Sequence, residues 1–277
     1  MKIIESYFVA PDHQRLYYQF HQSSKQKAVL VFVHGLNEHS GRYQNPVQHF
    51  AKKNFSIYLF DHRGHGKSDG LTSHIDDFST YIKDLNEFMR WVKAREKKSP
   101  IFMIGHSMGG QIVLNYLAQY NPPISGFLTS SANIEIAIKI PWLKKKAAFF
   151  LSKYFPKLAL TNEIDPLWIS RDSEVVNEYK KDPLVSKKTT LGLLVSMMTN
   201  QNKIYELASK IKIPGFMMHG GDDQICAPEG SLKFFEQISH KNKKIKIYDH
   251  FFHEIFNEIG KEQVFSDMEE WINQRLS

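Results

Sequence analysis

Short apolar runs alternate with amphipathic stretches along most of the chain. Six nearly continuous apolar runs each end in Gly, Asp or Ser: residues 28–35, 55–61, 101–105, 124–130, 213–220 and 244–249. Residues 75–98, between the second and third runs, instead repeat apolar side chains every three or four positions, which is typical of an amphipathic helix. Buried strands that alternate with helices predict an α/β fold with a mostly parallel sheet and helices on both faces.

The alternation stops over residues 133–212. This interval has a helical and loop-like pattern and contains four prolines, Pro141, Pro156, Pro166 and Pro183. It is far longer than an ordinary connection between two sheet strands. We therefore predict a cap, or lid, at residues 133–212, inserted into a core made of residues 1–132 and 213–277, and we expect it to cover the carboxyl ends of the strands.

Length and composition indicate a globular protein. The chain has 277 residues, of which 42% are hydrophobic, enough to bury one sizeable core. The amino terminus has no apolar core of signal-peptide length, and no apolar run reaches the roughly 20 residues of a membrane span. The lone Cys226 has no partner within the chain. We predict a protein that is cytoplasmic, or peripheral to a membrane.

The net charge is +7, and the lysines are scattered along the chain except for one cluster. Residues 139–157, "KIPWLKKKAAFFLSKYFPK", combine six lysines with five aromatic residues and no acidic residue. This composition suits a lipid interface better than a nucleic-acid groove, so we predict peripheral membrane contact through the cap and no nucleic-acid partner. A solvated lysine face over a buried helix explains the same segment equally well. The sequence does not give the oligomeric state.

A candidate nucleophile lies in "IFMIGHSMGGQIVLNY". Ser107 is flanked by Gly105 and Gly109, in a G-x-S-x-G pattern that follows an apolar strand and precedes a helical stretch. In this context the serine occupies a sharp turn, and the glycines leave room for the strand and the helix to approach. The pattern predicts a nucleophilic serine at the amino end of a helix whose dipole favours negative charge.

A serine nucleophile needs a histidine base and an acid that orients the base. In this architecture the acid and then the histidine follow the serine along the chain. Asp222 and Asp223 end one later strand, and His250 and His253 follow the next. Spacing alone leaves both choices open.

Two backbone N–H groups are candidates for an oxyanion hole. One belongs to Met108, directly after the candidate nucleophile, and the other to Leu36, in the loop "HGLNEHSGRY" after the first strong strand. Both would donate from the main chain, so their side chains matter mainly for shape.

Six segments together carry a family resemblance: "HGLNEHSGRY", "DHRGHGKSDG", "GHSMGG", "SRDSEVVNEYKKDPLV", "HGGDDQIC" and "FHEIFNE". In this order they resemble the monoacylglycerol lipase and lysophospholipase family of serine hydrolases, and the resemblance runs from about Val29 to Glu258, including the cap. It implies an α/β-hydrolase fold, with a mostly parallel central sheet, helices on both faces and a helical cap insertion.

The resemblance also implies site residues. The family's acid corresponds to Asp223 and its catalytic histidine to His253. Asp222 is then interpreted as a carboxylate that caps the loop, and His250 as a histidine that is solvated or already hydrogen-bonded. Cys226 matches a cysteine position near the active site, although a plain buried cysteine is an equally good interpretation.

Head-group recognition is implied for the first of these segments. The family's polar loop residues receive a glycerol-like group, a role that passes to Glu38 and Arg42. An ion pair between the two that only shapes the loop is the alternative. Relatives selective for monoacylglycerol place a polar residue shortly after the catalytic histidine, and Phe256 stands there in this chain.

Other motifs favour structure over chemistry. We interpret "DHRGHGKSDG", residues 61–70, as a tight turn that supports the nucleophile region, despite its two histidines. No histidine pair has the H-E-x-x-H or H-x-x-E-H zinc spacing, and the glycines form neither G-x-G-x-x-G nor a P-loop. We predict no metal and no cofactor.

The sequence therefore predicts a serine hydrolase that cleaves the ester bond of single-chain lipids, with monoacylglycerol as the first candidate substrate. A lysophospholipase is the nearest alternative. Thioesterases, small-ester hydrolases, proline-releasing peptidases and acyltransferases are more distant ones. A non-catalytic lipid binder is disfavoured because nucleophile, acid and base candidates are all present, and hydrolases with an aspartate nucleophile are disfavoured by Ser107. A scaffold that acts through the basic cap is a further alternative.

Overall fold

An eight-stranded sheet forms the centre of the molecule in the computed structural model, which describes residues 2–138, 140–162 and 164–276. Ten strands form among these residues: β1 (Lys2–Val9), β2 (Arg15–Gln22), β3 (Ala28–Val33), β4 (Phe55–Phe60), β5 (Ile101–His106), β6 (Gly126–Ser130), β7 (Ala159–Thr161), β8 (Lys188–Thr190), β9 (Gly215–Gly220) and β10 (Lys243–Tyr248). The central sheet has the order β1-β2-β4-β3-β5-β6-β9-β10, and β7 and β8 form a separate pair.

Nine α-helices surround this sheet among the same residues. They are α1 (Gln44–Ala51), α2 (Ser79–Arg95), α3 (Met108–Tyr120), α4 (Trp142–Ser152), α5 (Ser173–Lys181), α6 (Leu191–Gln201), α7 (Tyr205–Ala208), α8 (Pro228–Gln237) and α9 (Lys261–Asn273). The amphipathic stretch at residues 75–98 forms α2, whose apolar stripe is buried. None of the helices in the described part of the chain has the length and apolar character needed to cross a lipid bilayer.

Six neighbouring strands of the sheet pair in parallel, in the order β4, β3, β5, β6, β9 and β10, and helices cover both faces of the sheet. Strand β3 shows why. Val29, Val31 and Val33 point into a core shared with α2 and α3, whereas Leu30 and Phe32 point into a second core shared with α1 and α9. A strand buried on both faces needs apolar residues at every position. The predicted α/β-hydrolase fold class is confirmed.

The sequence analysis did not predict β1 and β2. Strand β2 pairs antiparallel with β1 on one side and with β4 on the other. It is buried over six consecutive residues, but two of these are the polar Gln19 and His21, whose side chains hydrogen-bond to each other at 3.2 Å. Polar residues at buried positions conceal the apolar pattern that identified the other strands. Strand β1 lies at the sheet edge and is mostly exposed.

The long segment between β6 and β9 contains α4 to α7 and the antiparallel pair β7 and β8. The helical pattern of this segment agrees with α4 to α7, but the strand pair was not predicted from the sequence. Each of the two strands is three residues long, too short to give an alternating pattern. Ile204, Ala208 and Ile211 are buried in the same core as α3, so the end of this segment packs with the main body. The domain boundaries at 132/133 and 212/213 stay a prediction, and Lys139 of the basic segment lies outside the described residues.

Candidate active site

Ser107 lies at a sharp turn between β5 and α3. Its backbone has φ 52° and ψ −121°, a conformation that costs free energy and that is typical of functional sites. A Cβ atom on Gly109 would lie 2.1 Å from the carbonyl oxygen of Val33, and one on Gly105 would lie 2.6 Å from the carbonyl oxygen of Gly109. Only glycine lets the strand, the turn and the helix approach this closely, which explains the G-x-S-x-G pattern.

Asp223 and His253 meet in a buried pair. Nδ1 of His253 is 2.7 Å from Oδ2 of Asp223. The other carboxylate oxygen, Oδ1, accepts the backbone N–H groups of Ile225 and Cys226 at 2.8 and 3.0 Å. Oδ2 also lies 3.1 Å from Nε2 of His219, a residue that the sequence analysis did not single out. The Asp223 carboxylate is thus held on both oxygens.

The pair has opposite pKa shifts. Burial raises the pKa of Asp223, but the charge of His253 and the hydrogen bonds from His219 and His253 outweigh it and hold this pKa well below the usual range. Burial lowers the pKa of His253, but the charge and hydrogen bond of Asp223 outweigh it, so this pKa lies above its ordinary value. The pair favours an ionised aspartate that stabilises a protonated histidine.

The other two candidates form a separate pair on the surface. Nδ1 of His250 lies 3.3 Å from Oδ2 of Asp222, with side chains that are 78% and 54% exposed. Solvent weakens such an exposed pair. Of the two choices that spacing left open, the structure places His253, paired with Asp223, in the wall of the same pocket as Ser107, whereas Asp222 and His250 line neither of the two pockets beside Ser107.

A small pocket of about 30 Å³ has Ser107 and His253 in its wall, together with Leu36. Leu36 and Met108 also border a larger cavity beside Ser107. Among the described residues, the backbone N–H groups of Leu36 and Met108 have no hydrogen-bond acceptor. Unpartnered N–H groups are uncommon inside proteins, and two of them beside a serine can stabilise a developing oxyanion.

Glu38, Arg42 and Glu254 form a buried charged cluster beside the small pocket. Nη2 of Arg42 donates to both carboxylate oxygens of Glu254 at 2.7 and 2.6 Å, whereas its Nε lies 3.4 Å from Oε2 of Glu38. Oε1 of Glu38 accepts from the Gly35 N–H at 2.5 Å and from the Tyr43 hydroxyl at 2.8 Å. Burial, followed by the charge of Glu254, raises the pKa of Glu38.

This cluster agrees with both interpretations of Glu38 and Arg42. The ion pair shapes the loop, and Glu38 and Glu254 both line the small pocket. Glu254 was missed by the sequence analysis, and its only signal was its position next to His253. Phe256 lies in the second core, at an edge-to-face angle to Phe32, and does not line the pocket that contains Ser107.

The larger cavity, of about 220 Å³, begins at Ser107 and extends under the inserted segment. Most of its wall is apolar and comes from both the core and the inserted segment, including Met108, Ile136, Leu160, Leu194, Met197 and Met198. Lys144 and Lys145 also border it. The cavity can hold an extended apolar group with one end at Ser107.

Cys226 lies in the wall of the same cavity and is buried. Burial raises the pKa of its thiol well above the usual value, and a hydrogen bond with Ser107 acts in the opposite direction. The thiol is therefore close to the candidate nucleophile and uncharged near neutral pH.

The histidine-rich segment at residues 61–70 supports the neighbouring loop. Asp61 accepts the backbone N–H groups of Ser40 and Lys67 at 2.7 and 2.9 Å. The backbone N–H of His62 donates to Nε2 of His34 at 2.9 Å, and Nε2 of His62 lies 3.0 Å from the His34 carbonyl oxygen. These contacts hold the loop that carries Leu36. In the described part of the chain, no three His, Cys, Asp or Glu side chains are grouped as a metal site requires.

The chain is similar to several known proteins. A family model described as serine aminopeptidase, S33, matches residues 24–260. A monoacylglycerol lipase from Mycolicibacterium smegmatis is 30% identical over 251 residues, which are 90% of this chain and 89% of that protein. An uncharacterized abhydrolase domain-containing protein from Dictyostelium discoideum is 35% identical over 251 residues, but this chain spans only 26% of its length.

A solved structure extends the match to three dimensions. The crystal structure of Paleococcus ferrophilus monoacylglycerol lipase has a TM-score of 0.84 at 30% identity, and the match covers 99% of this chain and 100% of that chain. Similarity over nearly the full length includes the inserted segment as well as the central sheet. The chain therefore belongs to the α/β-hydrolase family of serine hydrolases described as serine aminopeptidase, S33, and its resemblance to monoacylglycerol lipases is confirmed.

Proposed function

We propose that the protein hydrolyses the ester bond of monoacylglycerol, releasing a fatty acid and glycerol. This proposal rests on one observation: Ser107 lines both the large cavity and the small pocket. The large apolar cavity on one side suits an acyl chain, and the small pocket lined by Glu38 and Glu254 on the other suits a polar alcohol. An ester carbonyl at Ser107 would join the two groups.

Ser107 is the proposed nucleophile. His253 takes its proton as the hydroxyl attacks the acyl carbonyl, and Asp223 orients His253 and stabilises its positive charge. The N–H groups of Leu36 and Met108 hold the oxyanion. The alcohol leaves with the proton from His253, and water then releases the fatty acid from Ser107 by the same route. No step needs a cofactor.

The charge of the small pocket supports a neutral leaving group. Glu38 and Glu254 together offer two carboxyl groups, and Arg42 is the positive charge between them. Carboxylates accept hydrogen bonds from the hydroxyl groups of glycerol, whereas they repel a phosphate and would leave it without donors. This favours monoacylglycerol over lysophospholipid.

Lysophospholipid remains the second candidate because two lysines, Lys144 and Lys145, border the apolar cavity. A phosphate that reached them would be attracted to their charge. Both lysines line the cavity proposed for the acyl chain. A lysophospholipid would therefore have to place its phosphate in that cavity and its acyl chain on the other side of Ser107.

A comparison of two lipids with the same acyl chain tests the head-group proposal. We expect the purified protein to release oleate from 1-oleoylglycerol with kcat/KM at least about tenfold higher than from 1-oleoyl-lysophosphatidylcholine, since an unmatched charge costs about 1.4 kcal/mol or more in the transition state. Glu254→Gln, which removes one negative charge, should narrow this ratio. A preference for the lysophospholipid would overturn the choice of substrate and leave the proposed mechanism intact.

We also propose that the inserted segment contacts lipid surfaces through α4. This helix has no buried residue, and Trp142, Leu143 and Phe150 are 63%, 63% and 62% exposed. Exposed aromatic and aliphatic side chains beside lysines suit the interface of an anionic bilayer. The contact would place the apolar cavity near its lipid substrate.

A further inference from the structure

His219 lies behind the proposed acid, at the end of β9. Its side chain is fully buried and has three polar contacts. Nδ1 is 2.7 Å from Oγ of Ser231, and Nε2 is 3.1 Å both from Oδ2 of Asp223 and from the carbonyl oxygen of Cys226. The family comparison and the mechanism above assign no role to this residue.

The chemistry of its partners fixes the direction of these hydrogen bonds. A backbone carbonyl oxygen only accepts, and so does the Asp223 carboxylate when it is ionised. Nε2 of His219 therefore carries a hydrogen, shared between Oδ2 of Asp223 and the Cys226 carbonyl oxygen. In the neutral ring, Nδ1 then accepts from the Ser231 hydroxyl. Oδ2 of Asp223 consequently has two imidazole donors, His219 and His253.

We propose that His219 is a positioning residue for the proposed catalytic triad of Ser107, His253 and Asp223. Its Nε2–H donates to Oδ2 of Asp223 and so reduces the negative charge that this oxygen presents to His253. As a result, His253 stays unprotonated down to a lower pH. This inference rests on the proposed function, because it concerns the same catalytic triad. It deepens that function by naming a residue that sets the lower pH limit of activity.

The effect of His219 on His253 is electrostatic. Asp223 stabilises the protonated form of His253, and the stabilisation is strongest when all the negative charge faces Nδ1 at 2.7 Å. A second donor on the same oxygen weakens it. Because Oδ1 is separately held by the Ile225 and Cys226 N–H groups, the carboxylate stays in place when the His219 donor is removed. The full negative charge on Oδ2 then stabilises the protonated form of His253.

Other groups that face this pair come from several elements. The ring of His106, at the end of β5, is centred 4.8 Å from that of His253, and the charges of Glu38 and Glu254 also act on His253. Arg42 lies between those two glutamates, and the Cys226 thiol lies beside Asp223. A substitution at His219 leaves all of them unchanged, so a difference in pH dependence can be assigned to the lost donor.

The test is the pH profile of kcat/KM for p-nitrophenyl butyrate in the full chain. His219→Phe fills the same space but has no hydrogen-bond donor. We expect this variant to shift the acid limb, the fall of kcat/KM at low pH, upward by about 0.5 pH unit. A shift of this size corresponds to about 0.7 kcal/mol, as expected for the loss of one hydrogen bond. His219→Gln keeps an N–H donor and should restore the limb towards the wild-type position. His21→Phe, at another buried histidine outside the site, is the matched control and should not move the limb.

The outcomes separate this inference from the proposed function. An acid limb that stays in place or moves downward in His219→Phe overturns the role of His219, even if activity falls. If His219→Phe does not fold, Ser231→Ala carries the test: loss of the Ser231 hydroxyl frees the His219 ring, and the limb must again move upward. A wild-type protein without any esterase activity would instead overturn the proposed function itself.

Discussion

At the scale of single residues, the candidate site combines strain with buried charge. Ser107 has a positive φ that few serines adopt, and Asp223 carries its charge with a completely buried side chain. Both features are unfavourable alone. Four donors around Asp223 and the tight glycine contacts around Ser107 compensate for them, so the site is preorganised before substrate binds.

The raised pKa of His253 has a direct consequence for activity. The proposed mechanism needs this histidine unprotonated, so activity should fall as the pH drops through its pKa, which lies above the ordinary value of about 6.5. We expect the acid limb of kcat/KM for p-nitrophenyl butyrate in the wild-type protein to be centred above pH 6.5. A limb centred well below that value would contradict the dominance of Asp223 over burial.

At the scale of elements, two parts of the inserted segment differ in what they contact. Its residues Trp168 and Ile169 accept the backbone N–H groups of His253 and Glu254 at 3.4 and 2.8 Å. In contrast, α4 has no buried residue and packs mainly on α6. One part of the segment therefore supports the histidine loop, and another part presents an apolar surface to the solvent.

The exposed face of α4 should be needed for lipid surfaces but not for chemistry. We expect Leu143→Ser with Phe150→Ser to reduce binding to vesicles of phosphatidylglycerol and phosphatidylcholine by about thirtyfold or more, because each exposed side chain contributes about 1–2 kcal/mol when it enters the interface and about 1.4 kcal/mol is a factor of ten. Turnover of p-nitrophenyl butyrate should not change. Ile259→Ser removes a 57% exposed side chain outside the inserted segment and is the control. Equal vesicle binding by all three proteins would contradict the role of α4.

At the scale of the whole molecule, the parallel sheet gathers the site. Leu36 follows β3, Ser107 follows β5, Asp223 follows β9 and His253 follows β10, all at the carboxyl ends of their strands. Side chains separated by more than a hundred residues thus meet along one edge. This arrangement follows the general rule for open α/β sheets, in which ligands bind outside the carboxyl ends of the strands.

Buried histidines should make the whole fold sensitive to acid. Burial holds the pKa values of His34, His62, His65 and His106 below the ordinary value, that of His62 at about 3. Because the unfolded chain protonates near pH 6.5 and these folded groups resist protonation, each lowers the free energy of unfolding as the pH falls below that value, by at most about 1.4 kcal/mol per pH unit. The raised pKa of His253 opposes this for one group only.

Urea unfolding at several pH values measures this effect. We expect the free energy of unfolding to decline steadily from pH 6.5 to pH 5 by several kcal/mol. A stability that is constant across this range would show that the buried histidines protonate without unfolding.

The sequence was sufficient for those features that depend on local pattern. Strands β3 to β6 and β9 are buried on both faces and so are almost continuously apolar, and Ser107 has glycines at the positions where Cβ atoms would collide. Features that depend on tertiary contacts could not be derived in this way. Spacing left Asp222 and Asp223 equivalent, since only burial against His253 separates them, and family resemblance made the choice.

Other residues were missed for the same reason. Glu254 and His219 have no motif of their own, and their importance comes from Arg42 and Asp223, which are distant in sequence. Strand β2 was hidden by Gln19 and His21, which are buried only because they can hydrogen-bond to each other. Polar residues that find partners in the folded state do not reveal their burial in the sequence.

The most direct test of the account is the release of oleate from 1-oleoylglycerol by the wild-type protein and by Ser107→Ala. We expect the wild-type protein to turn over and the variant to lose about a thousandfold or more in kcat. Ser131→Ala is the matched control, because Ser131 is also buried with a positive φ but does not line either pocket beside Ser107, and it should retain activity. Equal turnover by the wild-type protein and Ser107→Ala, or no turnover by either, would contradict the central claim that Ser107 is the nucleophile of a monoacylglycerol hydrolase.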